Sequence, residues 1–195
     1  LGKNCLEEGS YGETIYAFAT LDGSFVSEQI YSSVTACDEG IFASRRMADD
    51  TLTAYLFDFE GNLIKTRSAL HSDAIYGYGE GIFISSEEVN GEWGQYYLDW
   101  EGSVHLGPYF YASAFCCGYG KVYLEGGNCA FVDREGNYLL DKKFSSVMGF
   151  YNEFASGEVA YSEETLFFDN RGNIILTLTD LDNAYWNGYQ LETTK

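Results

Sequence analysis

The side chains able to do chemistry are few and scattered. His71 and His105 each stand without a nucleophile or carboxylate at a recognisable spacing, so neither a Ser-His-Asp nor a Cys-His relay can be drawn. No Gly-x-Ser-x-Gly elbow, His-Glu-x-x-His helix or phosphate-cradling glycine loop occurs. Glycoside hydrolysis needs two carboxyls at a set separation. Glu87 with Asp99 is one such pair, but among 30 Asp and Glu residues a pair carries no information. The cysteines Cys5, Cys37, Cys116, Cys117 and Cys129 show neither zinc-ligand nor Cys-x-x-Cys spacing, and their odd number leaves at least one thiol unpaired. Asp-x-x-Gly turns bring calcium to mind, yet one Asp per turn is too few oxygen ligands. The expectation is no enzyme, no metal and no cofactor.

Binding chemistry remains. Two stretches are longer than their counterparts elsewhere in the chain: one holds Arg45, Arg46, Asp49 and Asp50, the other Glu87, Glu88, Asn90, Glu92 and Trp93. Loops on a rigid scaffold carry function more often than cores do. Trp100 and Trp186, with 17 tyrosines, add aromatic faces with polar tips that suit a sugar or a peptide. The candidate ligand-binding residues are therefore Arg45, Arg46, Glu87, Trp93, Trp100 and Trp186. The expected ligand is a protein or peptide, with carbohydrate as the alternative. With 11 Lys and Arg against 30 Asp and Glu, the formal charge of −19 repels nucleic-acid phosphates and anionic lipid surfaces. No stretch approaches the roughly 20 apolar residues that span a bilayer. A monomer is expected, without a nucleic-acid partner or membrane span.

The elements that must position these residues are strands. Aromatic residues make up 17% of the chain, a composition that favours a pleated, half-buried surface. Gly is abundant at 22 and Pro occurs once, so reversals fall to Gly, Asn and Asp turns. Such a turn recurs: Leu21-Asp22-Gly23, Asp58-Phe59-Glu60-Gly61, Asp99-Trp100-Glu101-Gly102, Asp133-Arg134-Glu135-Gly136 and Asp169-Asn170-Arg171-Gly172. The beat is about 37 residues. A second landmark keeps step, at Gly40-Ile41-Phe42, Gly81-Ile82-Phe83, Gly120-Lys121-Val122, Gly157-Glu158-Val159 and Gly188-Tyr189-Gln190. The flanking runs, such as Tyr55-Leu56-Phe57 and Leu166-Phe167-Phe168, are apolar on both faces, as expected where sheets stack on one another. The prediction is one all-β domain over residues 1–195, built of five units.

The pattern resembles the WG-repeat family of mostly bacterial proteins. The third unit carries it best: Gly91-Glu92-Trp93-Gly94 runs through Tyr96-Tyr97-Leu98 into Asp99-Trp100-Glu101-Gly102. Phe154-Ala155-Ser156-Gly157-Glu158-Val159-Ala160 matches the family's second half, and the Trp-Gly pair itself survives only at Trp93-Gly94. The resemblance implies a repeated β scaffold, often extracytoplasmic, without assigned chemistry, and supplies no active-site residues. A secreted or cell-surface location is expected on that ground.

Two architectures fit five units. In a small five-bladed β-propeller, residues 188–193 would pair beside Thr14-Ile15-Tyr16-Ala17-Phe18 and remove the exposed sheet edges. Blades of four or of three strands are compatible with the unit length. The alternative is an open solenoid of β-hairpins. The ring is the preferred expectation.

Overall fold

The computed structural model describes residues 2–4, 14–70, 74–179, 183–186 and 191–194. All regular elements among them are strands. β1 (Gly2–Asn4) pairs with β2 (Thr14–Tyr16). β3 (Ser33–Cys37), β4 (Gly40–Arg46), β5 (Leu52–Phe57) and β6 (Leu63–Leu70) form an antiparallel meander, and β7 (Ala74–Gly79), β8 (Ile82–Val89), β9 (Glu92–Leu98) and β10 (Val104–Tyr109) form a second. A seven-stranded sheet follows, ordered β11 (Tyr111–Ala112), β12 (Gly120–Tyr123), β13 (Cys129–Val132), β14 (Phe144–Tyr151), β15 (Phe154–Val159), β16 (Thr165–Asp169) and β17 (Ile174–Leu178). It is two units joined at the Cys129–Phe144 pair. β18 (Asn183–Trp186) pairs with β19 (Leu191–Thr194). Three of the units, β3–β6, β7–β10 and β14–β17, are thus four-stranded, and β11–β13 is three-stranded.

Double-sided apolar strands have a simple cause: the inner sheets are covered on both faces. Phe42, Leu52, Ala54 and Leu56 pack against Tyr78, Phe83, Tyr96 and Leu98 of the next meander. From the opposite face of β4 and β5, Ala43 and Phe57 meet Phe18 and Tyr31. The same alternation sends Ile84 and Tyr97 onto Val122, Ala130 and Val132, and Cys129 and Phe131 onto Phe144, Leu166 and Phe168. Each fully buried side chain of this size contributes roughly 1.5–3 kcal/mol. The core is a series of seams between neighbouring units, the arrangement expected when no unit hides its own apolar surface.

The Asp-x-x-Gly turns form as read. In the first complete unit the Asp58 Oδ1 accepts the Glu60 and Asn62 amides at 3.0 and 2.8 Å, and the Asn62 side-chain amide donates to Oδ2 at 2.9 Å. The Gly61 N–H closes onto the Asp58 carbonyl at 3.1 Å, and Gly61 has φ +89, the left-handed residue of a turn followed by a bulge. Asp133 with Asn137 and Asp169 with Asn173 repeat the set bond for bond. In the unit between, Ser103 supplies the amide and His105 stands in for the Asn side chain, its Nε2 3.1 Å from Asp99 Oδ2. The Asn after the Gly is part of the motif.

These glycines also serve the seams. A Cβ on Gly61 would enter the Phe25 ring, on Gly102 the Arg67 guanidinium, on Gly136 it would press on Leu106, and on Gly172 on Leu139. Each turn is thereby covered by the outer edge of the unit before it.

Two expectations are corrected. Pairing of 188–193 beside 14–18 is not found among the described residues, where β19 pairs with β18 and β2 with β1; residues 188–190 lie outside them. Each terminal strand pairs with the strand next to it in sequence, which costs less closure entropy than joining the chain ends. The fourth landmark is also displaced. Ile41 pairs with Phe57, just before Asp58, whereas Ala155 pairs with Phe168, just before Asp169, so Phe154 takes the place of Gly40. Gly157 sits mid-strand, where a Cβ would strike the Phe144 ring.

Candidate functional site

A wide opening lies at the hairpin-tip end of the second meander, where strand lengths mismatch. β8 and β9 run 8 and 7 residues, while β12 and β13, which cover them, run 4 each. The far end of the β8–β9 hairpin therefore outreaches its cover. Its tip, Asn90-Gly91, has φ of +54 and +85, the two-residue turn that Asn-Gly specifies. Below it Trp93 pairs across with Glu88, and Gln95 with Ser86.

A cleft of about 780 Å³ occupies the space left open. Trp93 and Gln95 form one wall, Pro108, Tyr109 and Phe110 another, and the Tyr123–Gly127 tip closes the far side. Three of its rings face solvent: Trp93 is 58% exposed, Tyr76 55% and Phe110 87%. Tyr76 reaches the cleft because the β7–β8 register slips between Ile75 and Gly77, a bulge that re-aims one side chain. Gly94 matters for the opposite reason: a Cβ there would lie 2.6 Å from the Pro108 Cβ, so only glycine lets β10 close over β9. β10 itself is irregular here, with register shifts on both sides of Leu106 and a cis Gly107–Pro108 bond.

Polar groups in the cleft are sparse. Gln95 is buried and its side-chain oxygen accepts the Ala112 amide at 2.6 Å, which leaves the NH₂ as the end able to donate to a ligand. Tyr109 is half-buried, and that burial pushes its phenol above the ordinary range, so it is a neutral hydroxyl at pH 7. Among the described residues lining the cleft, Glu125 is the one charged side chain. Nothing here pairs a nucleophile with a base. Among the described residues no group of three or more His, Cys, Asp and Glu is placed to hold a metal ion, and no helix is long and apolar enough to cross a membrane.

Of the sequence-stated candidates, only Trp93 lines this cleft. Trp100 belongs to the preceding seam: its ring packs on Phe42, Tyr78 and Phe83 at centroid distances of 6.3, 5.7 and 6.0 Å, its N–H donates to the Tyr78 hydroxyl at 3.5 Å, and Lys65 Nζ sits 5.9 Å from its centroid. Trp100 thus packs, partly buried, against this seam and does not line the cleft. Glu87 pairs with Gly94, one position out of phase with Trp93, and so faces the opposite side of the sheet. Arg45 and Arg46 are on the β4–β5 hairpin of another unit, where Arg46 bonds Asp50 at 2.9 Å. Trp186 is in β18, whose side chains lie outside the described residues. His71 lies outside them as well. Tyr76, Gln95, Pro108, Phe110 and Glu125 were not singled out from sequence. The only signal for them was the Trp-Gly pair, whose glycine implies a chain crossing close by.

No protein-family model matches the chain, and no curated protein matches it. Among solved structures, the crystal structure of BamB from Moraxella catarrhalis is similar over 78% of this chain, with 11% identity and a TM-score of 0.40. The match spans 49% of the BamB chain.

Proposed function

We propose that the protein is a non-enzymatic binding module that holds an extended segment of a protein partner in the cleft beside Trp93. The exposed trio of Trp93, Tyr76 and Phe110 around a preformed opening carries this reading. Large rings left in water at a concave site mark a place where apolar surface is to be covered. A sugar presents hydroxyls on most of its edges, and each buried one needs a partner. One carboxylate, one amide, the Ser86 hydroxyl and a few phenols are a thin supply for that, whereas a peptide brings apolar side chains for the rings. Glu125 and the overall acidity favour a segment carrying Lys or Arg, by charge and by stacking on the rings.

Titration of the protein with a panel of short basic, aromatic- or proline-bearing peptides, followed by calorimetry, tests the proposal. Trp93→Ala weakens the best binder at least ~10-fold, about 1.4 kcal/mol. Undiminished affinity in that variant, or binding confined to oligosaccharides, overturns it.

The same proposal places the stacked units in a small five-bladed propeller of the kind the WG-repeat resemblance suggests, in a secreted or cell-surface protein. Support comes from the three- and four-stranded form of the units and from strand pairs at both chain ends. A closed ring of this length has a radius of gyration of about 16 Å, and a clearly larger value in solution scattering supports the open solenoid instead.

A further inference from the structure

Cys116 and Cys117 occupy a tight turn within the unit that covers the cleft's lower wall. The Cys116 amide donates to the Tyr119 carbonyl at 2.9 Å and the Tyr119 amide returns the bond at 3.2 Å. Between them Cys117 has φ +58 and Gly118 φ +89. Adjacent residues of an extended strand send their side chains to opposite faces, so two neighbouring thiols ordinarily stay apart. Here the left-handed backbone at Cys117, uncommon for a residue with a side chain, turns both sulfurs to one side, 3.6 Å from each other. A rare backbone state is a reason to look for a use.

The remaining described thiols are differently placed. Cys129 is fully buried, its Sγ on the Phe144 carbonyl at 3.4 Å, and Cys37 is spent locally on the Gly40 carbonyl at 3.4 Å. Cys116 and Cys117 are both half-buried, open enough for a small reagent.

We infer that Cys116 and Cys117 form a dithiol modification site that a small disulfide oxidant, of the glutathione class, converts reversibly into a vicinal disulfide. The Cys117 thiolate attacks one sulfur of the oxidant; its S–S bond breaks, a mixed disulfide forms on Cys117, and one thiolate leaves and takes up a proton. The Cys116 thiolate then attacks the Cys117 sulfur, the Cys116–Cys117 bond forms, and the second oxidant thiol departs. Two protein thiols lose two protons and two electrons, and the oxidant gains them. Burial first, then the adjacent Cys117 and the acids Asp38 and Glu80, push the Cys116 thiol up to about 12. That assigns the first attack to Cys117 and makes closure faster as pH rises. The turn also bridges units, since the Gly118 amide donates to Glu80 Oε1 at 3.0 Å and Phe115 packs edge-on to Tyr97 at 4.8 Å. The ring would stiffen a seam contact.

The test treats the reduced protein with oxidised glutathione, blocks residual thiols with N-ethylmaleimide, and reads intact mass and peptides. Apart from maleimide carried by other cysteines, the expected wild-type product is two hydrogens lighter, with Cys116 and Cys117 joined, protected together, restored by dithiothreitol, and outnumbering glutathione adducts at these positions by about tenfold. Cys116→Ser retains one glutathione on Cys117 instead, Cys117→Ser takes up glutathione more slowly at Cys116 and forms no ring, while a Cys5→Ser, Cys37→Ser, Cys129→Ser triple variant still closes. Stable glutathione adducts on the wild-type pair, or pairing of either cysteine with another position or another chain, overturns the inference without touching the cleft.

Discussion

Two neighbouring seams differ in how far they are filled. Between the first and second meanders, hairpins of matched reach meet: β4 and β5 run 7 and 6 residues against 8 and 7 for β8 and β9. Rings of Phe42, Tyr78, Phe83 and Trp100 occupy the seam. On the other face of the same β8–β9 hairpin, the shorter β12 and β13 stop early, and Trp93 stands in the open. The two tryptophans sit at different places in one unit, Trp100 in the Asp99–Gly102 turn and Trp93 near the β8–β9 tip. The short reach of the covering hairpin is what leaves Trp93 open.

Removing each tryptophan is the most direct way to break this contrast. Trp100→Ala leaves a hole beneath Phe42 and Tyr78 and lowers stability by about 3 kcal/mol in urea unfolding, whereas Trp93→Ala costs less than ~0.5 kcal/mol. Equal losses would mean that the two seams are not different in kind. Gly94→Ala sharpens the point, because the new methyl meets Pro108; the expected cost is about 1–3 kcal/mol, with peptide affinity falling as the wall shifts. Tyr97→Phe probes the packed half of the same seam. Its hydroxyl donates to the Ser113 carbonyl at 2.7 Å, and its loss costs about 1 kcal/mol by thermal or urea denaturation, the carbonyl being left without its donor.

The smallest effect is shared by all units and depends on pH. Side-chain and backbone donors from Asn62, Asn137 and Asn173 hold the carboxyls of Asp58, Asp133 and Asp169 below the ordinary range. Asp22 is held at about 2 by the Ser24 amide and the Thr20 and Ser24 hydroxyls. Asp99 is also lowered: burial raises it, but the Ser103 amide and His105 outweigh that. A carboxyl more acidic in the folded than in the unfolded chain stabilises fully above about pH 4 and progressively less as pH falls toward 2. Melting temperature should drop across that window, and less so in a variant carrying Asn at 58, 133 and 169.

The turns were legible because their chemistry is local: an acceptor at the first position and a residue free to take positive φ at the fourth suffice. Stacking was legible because strands such as Leu166-Phe167-Phe168 offered no polar face. The cleft was not, for reasons of geometry between units. Nothing in the stretches around Trp93 and Trp100 reveals which seam is filled. Tyr76 becomes exposed through a bulge with no composition signal, and Glu87 differs from Trp93 by a parity that only the register shows. Gly157 misled because a glycine that clears a ring looks the same as one that starts a strand.

The covering of each turn by the outer strand of the unit before it runs in one direction only, from Phe25 to Gly61, Arg67 to Gly102, Leu106 to Gly136 and Leu139 to Gly172. A polypeptide emerging from the ribosome meets this polarity in time. Every unit is made before the surface it is to shield, so the newest stretch of the nascent chain always has greasy groups awaiting a successor. Assembly in order of synthesis then resembles tiles laid down a roof, each held by the next to arrive.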